Sequence, residues 1–227
     1  MKQRLDALKS RIRQTALDCG RDPASVRLVA VSKTHPAERV KSAIEAGAEI
    51  LGENYIQEAR TKIDNLSEES VSWHFIGHLQ RNKAKFAVPL FDLIHSVDSV
   101  RLAKEIDKQA AKHDKVQEIL VQVNISGEET KSGIDPEECL VMLREIAGMK
   151  RVAVKGLMTM PPFFDQPEKA RPFFSALKGL ADEVRNAKIS GIEMAELSMG
   201  MTGDFEAAIA EGATLVRVGT AIFGERQ

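Results

Sequence analysis

Cysteine is scarce in this chain, and the two that occur stand alone. Cys19 and Cys139 are far apart, with no second cysteine near either. That excludes a disulfide framework and cysteine-based metal spacing, and it suits a reducing compartment. Charge of one sign is not in excess either: 32 basic residues face 33 acidic ones, a formal net charge of −1. No basic face is implied, so nucleic acid is not an expected partner. Long hydrophobic runs are missing, and nothing approaches the roughly 20 apolar residues that span a bilayer. The N-terminus, MKQRLDALKSRIRQ, is too charged for a secretory signal. The expected location is therefore cytoplasmic, with no membrane contact. Nor is there a linker, a low-complexity tract or a repeat, so 1–227 reads as a single domain. What is present is an ordinary composition, 43% hydrophobic and 29% charged. A chain of this size buries about 70% of its unfolded surface in one domain.

The order of elements is legible from periodicity. Residues 2–18 read as an amphipathic helix with Leu5, Leu8, Ile12 and Ala16 on one face and Gly20 as its stop. Eight short apolar runs follow, at 28–32, 49–51, 73–76, 93–95, 119–123, 152–157, 194–197 and 214–218. Helical patterns lie between them, at 37–46, 54–65, 99–112, 136–147, 167–187 and 204–211, with a weaker one at 80–87. Gly47 and Gly212 stand where helices close, and Asp135-Pro136 is a cap followed by a first-turn proline. Repeated β-then-α units imply a parallel sheet with right-handed crossovers. Eight of them predict a (β/α)8 TIM barrel with an extra N-terminal helix. A doubly wound open sheet is the main alternative.

In such a barrel the chemistry lies at the C-terminal strand ends. The first strand, Arg27-Leu28-Val29-Ala30-Val31-Ser32-Lys33, ends in a lysine among aliphatic neighbours. Burial disfavours an ammonium, and a neutral amine forms a Schiff base with an aldehyde. The plainer alternative is a lysine that snorkels to solvent. After the seventh strand comes Ser198-Met199-Gly200-Met201-Thr202-Gly203, and the eighth ends Arg217-Val218-Gly219-Thr220. Barrels often hold phosphate after these two strands. Gly219 permits close backbone approach and Thr220 offers a hydroxyl, while Ser198, Gly200 and Gly203 supply the other side of a cradle. Alternatively the glycines only make tight turns.

A Schiff-base lysine facing a phosphate cradle points to one cofactor, pyridoxal 5′-phosphate. Arg217 shares a strand face with Gly219. A guanidinium donates but does not accept, so an arginine at the pyridine nitrogen keeps it unprotonated and weakens the ring as an electron sink. The alternative for Arg217 is an internal ion pair with Glu53 or another rim carboxylate. His74 and His78 would be about 13 Å apart on a strand, so no metal is expected. The methionines at 158, 160, 194, 199 and 201 read as packing, Trp73 as core, and Lys131 and Lys155 as solvated.

These motifs resemble the YggS/PROSC family of pyridoxal phosphate homeostasis proteins, over nearly the whole chain. The resemblance is carried by Ala30-Val31-Ser32-Lys33-Thr34, Gly52-Glu53-Asn54-Tyr55, His74-Phe75-Ile76-Gly77-His78-Leu79-Gln80, Gly156-Leu157-Met158-Thr159-Met160, Leu197-Ser198-Met199-Gly200-Met201 and Val216-Arg217-Val218-Gly219-Thr220. It implies a fold like the barrel domain of alanine racemase, with pyridoxal 5′-phosphate bound to Lys33 and Arg217 at the ring nitrogen. It also implies that Ser198, Gly219 and Thr220 hold the phosphate and that Asn54 lies beside the cofactor. Racemase-type catalysis needs a second acid/base, a tyrosine from an added domain. Here the one tyrosine is Tyr55 and the sequence ends at Gln227.

The expected function is a non-catalytic cofactor carrier in pyridoxal phosphate homeostasis, a monomer that passes its cargo to apo-enzymes. A racemase-like enzyme and a Schiff-base aldolase acting on a sugar phosphate are the alternatives. His78 is the rim residue whose chemistry would favour an enzyme.

Overall fold

The structure, a computed structural model, describes residues 1–128 and 131–225; residues 129, 130, 226 and the chain end at Gln227 lie outside the described residues. Eight parallel strands close into a barrel in chain order. They are β1 (Arg27–Val31), β2 (Ile50–Glu53), β3 (Ser72–Phe75), β4 (Leu93–Val97), β5 (Gln117–Gln122), β6 (Val152–Met158), β7 (Ile192–Ser198) and β8 (Leu215–Val218). Closure comes from β8 pairing back onto β1, through Leu28↔Val216, Val29↔Arg217 and Ala30↔Val218. An open sheet would leave two unpaired edges, so the doubly wound alternative falls.

The helices are α1 (Lys2–Asp18), α2 (Ala37–Glu45), α3 (Ile56–Asn65), α4 (Ala84–Ala87), α5 (Val100–Lys112), α6 (Cys139–Ile146), α7 (Arg171–Asn186), α8 (Phe205–Ala210) and α9 (Thr220–Phe223). In α1 the buried residues are Leu5, Leu8, Ile12 and Ala16, the face its spacing predicts. The helix lies against α8 and α9, and Arg11 fastens it by pairing with Glu206 at 2.9 Å while stacking over Phe205. The last helix has only four residues, so α1 supplies apolar cover beside it. Gly47 and Gly212 both sit at φ +102°, in the left-handed region that closes a helix cheaply only with glycine. Proline-led starts at Pro136–Glu138 and Pro167–Ala170 are 3-10 turns, which is why α6 and α7 begin later than their apolar periodicity suggests.

Two apolar layers build the core. The larger fills the space between strands and helices. The smaller lies inside the barrel and consists of Val29, Ile50, Leu93, Leu120, Met158 and Leu215. Strand side chains alternate, so two residues further on the same inward face carries Val31 on β1, His95 on β4 and Arg217 on β8. A dry plug therefore lies beneath a polar layer at the C-terminal ends of the strands. Among the described residues, no helix is long and apolar enough to cross a membrane. Nor does any group of three or more His, Cys, Asp or Glu among them converge in a way that could hold a metal ion.

Candidate functional site at the C-terminal rim

A cavity of about 280 Å³ opens at the C-terminal ends of the strands. Lys33 follows β1, Asn54 follows β2, Arg217 belongs to β8, and Gly219 and Thr220 follow it; all five line this cavity. Across from Lys33, the β7–α8 turn contributes Met201, Thr202, Gly203 and Asp204. The hydroxyls of Thr202 and Thr220 stand 3.1 Å apart, so two donors converge on one spot beside Gly203 and Gly219. A Cβ at Gly219 would stand 3.1 Å from the Val31 carbonyl oxygen, a tight contact that β1 would have to relieve by a few tenths of an ångström. Gly200 serves packing instead. A Cβ there would meet the Ala208 methyl at 2.5 Å, so its bareness lets the turn settle on α8.

Arg217 is buried and anchors the floor. Its Nη1 donates to Ser198 Oγ at 2.5 Å and its Nη2 to the Thr159 carbonyl at 2.9 Å. Ser198 Oγ also meets His95 Nδ1 at 2.8 Å, and His95 Nε2 meets His74 Nδ1 at 2.9 Å. The result is a chain of hydrogen bonds from the rim into the barrel. Burial lowers the Arg217 pKa to about 10, against the pull of Asp204, which leaves it a cation at neutral pH. Burial likewise pushes His74 down to about 4 and His95 well below the imidazole range; a proton on His74 would add to the effect on His95, as the Arg217 and Arg27 charges do. Both rings are neutral, as a cationic neighbour and a dry interior require. Asp204, held by the Met201 N–H at 2.6 Å, has its pKa raised by burial, while that hydrogen bond and the Arg217 charge oppose the rise.

Asn54 supplies an open valence. Its Oδ1 is buried and makes no hydrogen bond, yet the residue faces the cavity. A buried amide oxygen without a donor is costly, and a polar ligand would satisfy it. The position is fixed from behind, because a Cβ on Gly77 would strike the Asn54 carbonyl at 2.4 Å. A lysine, an arginine, two hydroxyls and an unsatisfied amide around about 280 Å³ fit an aldehyde-bearing, phosphorylated aromatic ring such as pyridoxal 5′-phosphate.

The expected constellation thus meets in one place except for Ser198. That hydroxyl lies inside the barrel between Arg217 and His95 and does not line the cavity. Thr202 stands opposite Thr220 instead. Glu53 does not pair with Arg217; it pairs with Lys62 at 2.7 Å. Neither Tyr55 nor His78 lines the cavity: Tyr55 is 56% exposed, and His78 Nδ1 lies 3.2 Å from Ser132 Oγ. His35 does line it, with its ring stacked on Phe223 at 4.8 Å. Its only sequence signal is that it follows Lys33 by two residues on the same rim. Met160, Phe163 and Phe164 form an apolar lip, with Phe163 86% exposed. Their loop carries no periodic signal.

Residues 3–227 match the family model described as alanine racemase, N-terminal domain. The chain is 42% identical over 225 residues to the pyridoxal phosphate homeostasis protein of Aquifex aeolicus, covering 99% of this chain and 98% of that one. Among solved structures it is similar to PipY of Synechococcus elongatus with pyridoxal phosphate bound, with a TM-score of 0.87 and 36% identity over 98% of this chain and 99% of that one. Alanine racemase of Clostridium difficile shares the fold, with a TM-score of 0.74 at 15% identity, over 96% of this chain and 56% of that enzyme.

Proposed function

Since this chain belongs to the alanine racemase N-terminal domain family, we propose that it binds pyridoxal 5′-phosphate at the rim cavity and serves in homeostasis of that cofactor. One observation carries the reading: a single cavity joins Lys33, Arg217 and the Thr202–Thr220 pair. The names of the relative from Aquifex aeolicus and of the PipY structure with pyridoxal phosphate bound support it. When bound, the cofactor supplies an aldehyde that condenses reversibly with an amine and a ring that withdraws electrons.

The chain's own groups divide the work. Lys33 provides the amine. Thr202 and Thr220 donate hydroxyl hydrogen bonds to the phosphate beside Gly203 and Gly219. Arg217, with two of its N–H groups already committed, holds a positive charge at the ring nitrogen and keeps that nitrogen an acceptor. Asn54 Oδ1 accepts from a polar group of the ligand. Ser198 acts through Arg217, by fixing the guanidinium from below.

We take the chain to work as one unit, a monomeric carrier that shields a reactive aldehyde in the cytoplasm and releases it to apo-enzymes. A racemase-like catalyst needs a positioned acid/base besides the lysine. Tyr55 and His78 are poorly placed for that, since neither lines the cavity. His35 is the one observation favouring catalysis, because an imidazole there has reach into the cavity. Two measurements test the proposal. Borohydride reduction of the loaded protein, followed by peptide mapping, is expected to leave a pyridoxyl label on Lys33 and none in Lys33→Ala; a label confined to other lysines sinks the site. Solvent deuterium incorporation at Cα of common amino acids is expected to stay below catalytic turnover. Multiple-turnover exchange abolished by His35→Ala would make the protein an enzyme.

A further inference from the structure

Taking Lys33 as the attachment point proposed above, we infer that Lys62, acting through Glu53 and Glu58, is a positioning residue for it: a buried ion cluster clamps the turn on either side of Lys33. The His35 N–H donates to the Ser32 carbonyl at 3.2 Å, which closes a turn with Lys33 and Thr34 at its centre. Thr34 sits at φ +67°. That region suits glycine at the third position of such a turn and disfavours a β-branched residue. Backbone strain of this kind persists only where the surroundings hold it in place.

Here three side chains do the holding. An ammonium has three donors, and Lys62 spends all three: on the Ser32 carbonyl at 2.7 Å, on Glu53 Oε1 at 2.7 Å and on Glu58 Oε1 at 2.6 Å. Glu53 Oε1 also takes the Ser32 hydroxyl at 2.6 Å. Glu58 Oε1 also takes the Thr34 N–H at 2.5 Å. The residues just before and just after Lys33 are thus tied to one ammonium. Lys62 is 3% exposed and Glu53 is fully buried.

Burying the Glu53 carboxylate with an ammonium, and half-covering the Glu58 carboxylate, is a poor way to gain stability, since apolar residues of similar volume commonly do as well or better. A glycine at position 34 would make the turn without any clamp. The chain instead combines a strained threonine with an ion cluster behind its reactive lysine. The cluster therefore sets where the lysine points. It does so from β2 and α3, outside the cavity itself.

The test uses the full chain. Lys62→Met would leave the buried Glu53 carboxylate facing Glu58 without a counter-ion and can unfold the protein, so Glu58→Ala is the primary variant; that side chain is 28% exposed. Lys33 reactivity is read twice: by formaldehyde–cyanoborohydride methylation of the cofactor-free protein across pH, and by the rate of borohydride-trappable pyridoxal 5′-phosphate attachment. Glu58→Ala is expected to shift the pH midpoint of Lys33 methylation and to slow attachment about tenfold, the weight of one released backbone strain. Adding Thr34→Gly is expected to restore both, because glycine holds the turn unaided. Folded Glu58→Ala with unaltered methylation and attachment overturns the inference, as does a defect that Thr34→Gly leaves untouched. Methylation needs no cofactor, so wild-type protein that never traps the cofactor at Lys33 refutes the site while the positioning result still stands or falls on its own.

Discussion

Thr202 and Thr220 carry the most direct residue-scale consequence of the cavity. Their hydroxyls hydrogen-bond each other at 3.1 Å, and both residues line the cavity. A hydrogen bond to a charged phosphate contributes about 1.5–3 kcal/mol. Thr220→Val and Thr202→Val are each expected to weaken pyridoxal 5′-phosphate by roughly ten- to a hundredfold, and to leave pyridoxal, which lacks the phosphate, nearly unaffected. Titration of the two ligands checks this, and equal losses would remove the threonines from the phosphate site. Ser198→Ala belongs to the same series with the opposite pattern. Its hydroxyl accepts from Arg217 and meets His95, so its loss is expected to weaken both ligands alike and to shift the absorbance band of the bound cofactor. In the sequence Ser198 looks like a phosphate ligand because it precedes a glycine-bearing turn. What the sequence does not display is barrel register, which turns that side chain inward onto Arg217. His35 is hidden for a related reason, since its place at the cavity depends on a turn whose shape comes from α3.

At the scale of elements, strands and helices are legible where apolar spacing alone decides them. The buried face of α1 and the alternation of eight strands are of this kind. The end of β2 is not, because Glu53 reads as a rim carboxylate until Lys62, nine positions on, arrives to neutralise it inside the protein. The 80–87 piece is weak in the sequence and proves to be a 3-10 turn, Arg81–Lys83, running into the four residues of α4. Two glycines separate local from tertiary demands. Gly179 lies within α7 and a Cβ there would touch nothing within 4 Å, so Gly179→Ala is expected to stabilise the protein by about 0.4–1 kcal/mol. Gly156 lies in β6, where a Cβ would fall 1.8 Å from the Glu196 carbonyl oxygen of β7. Gly156→Ala has to push two strands of the barrel apart, and a loss of about 1–3 kcal/mol or more is expected. Urea unfolding of both variants checks the pair. A mild Gly156→Ala would mean that the β6–β7 wall yields easily.

For the molecule as a whole, the barrel interior links function to stability. Beneath the cavity the interior holds a cation, Arg217, and two neutral imidazoles joined to it through Ser198. The same burial that keeps these rings neutral makes the fold sensitive to acid. His74 titrates at about 4 in the folded protein against an ordinary value of 6.5. Between those values the unfolded chain binds a proton that the native barrel refuses, so stability is complete above 6.5 and drains away as pH falls towards 4. From pH 7 to pH 5 this one group removes about 2 kcal/mol, and His95 acts in the same direction. His74→Asn keeps a hydrogen-bonding group beside His95 and cannot take up a proton. The variant is expected to be less stable than wild type at pH 7, because it packs less well, yet to lose about 2 kcal/mol less on going to pH 5. Urea unfolding at the two pH values supplies the comparison, and the carboxylates common to both proteins cancel in it. Equal losses would show that His74 is protonated in the folded barrel. Arg217 would then have a cationic neighbourhood, and the chain of neutral rings beneath the cavity would have to be redrawn.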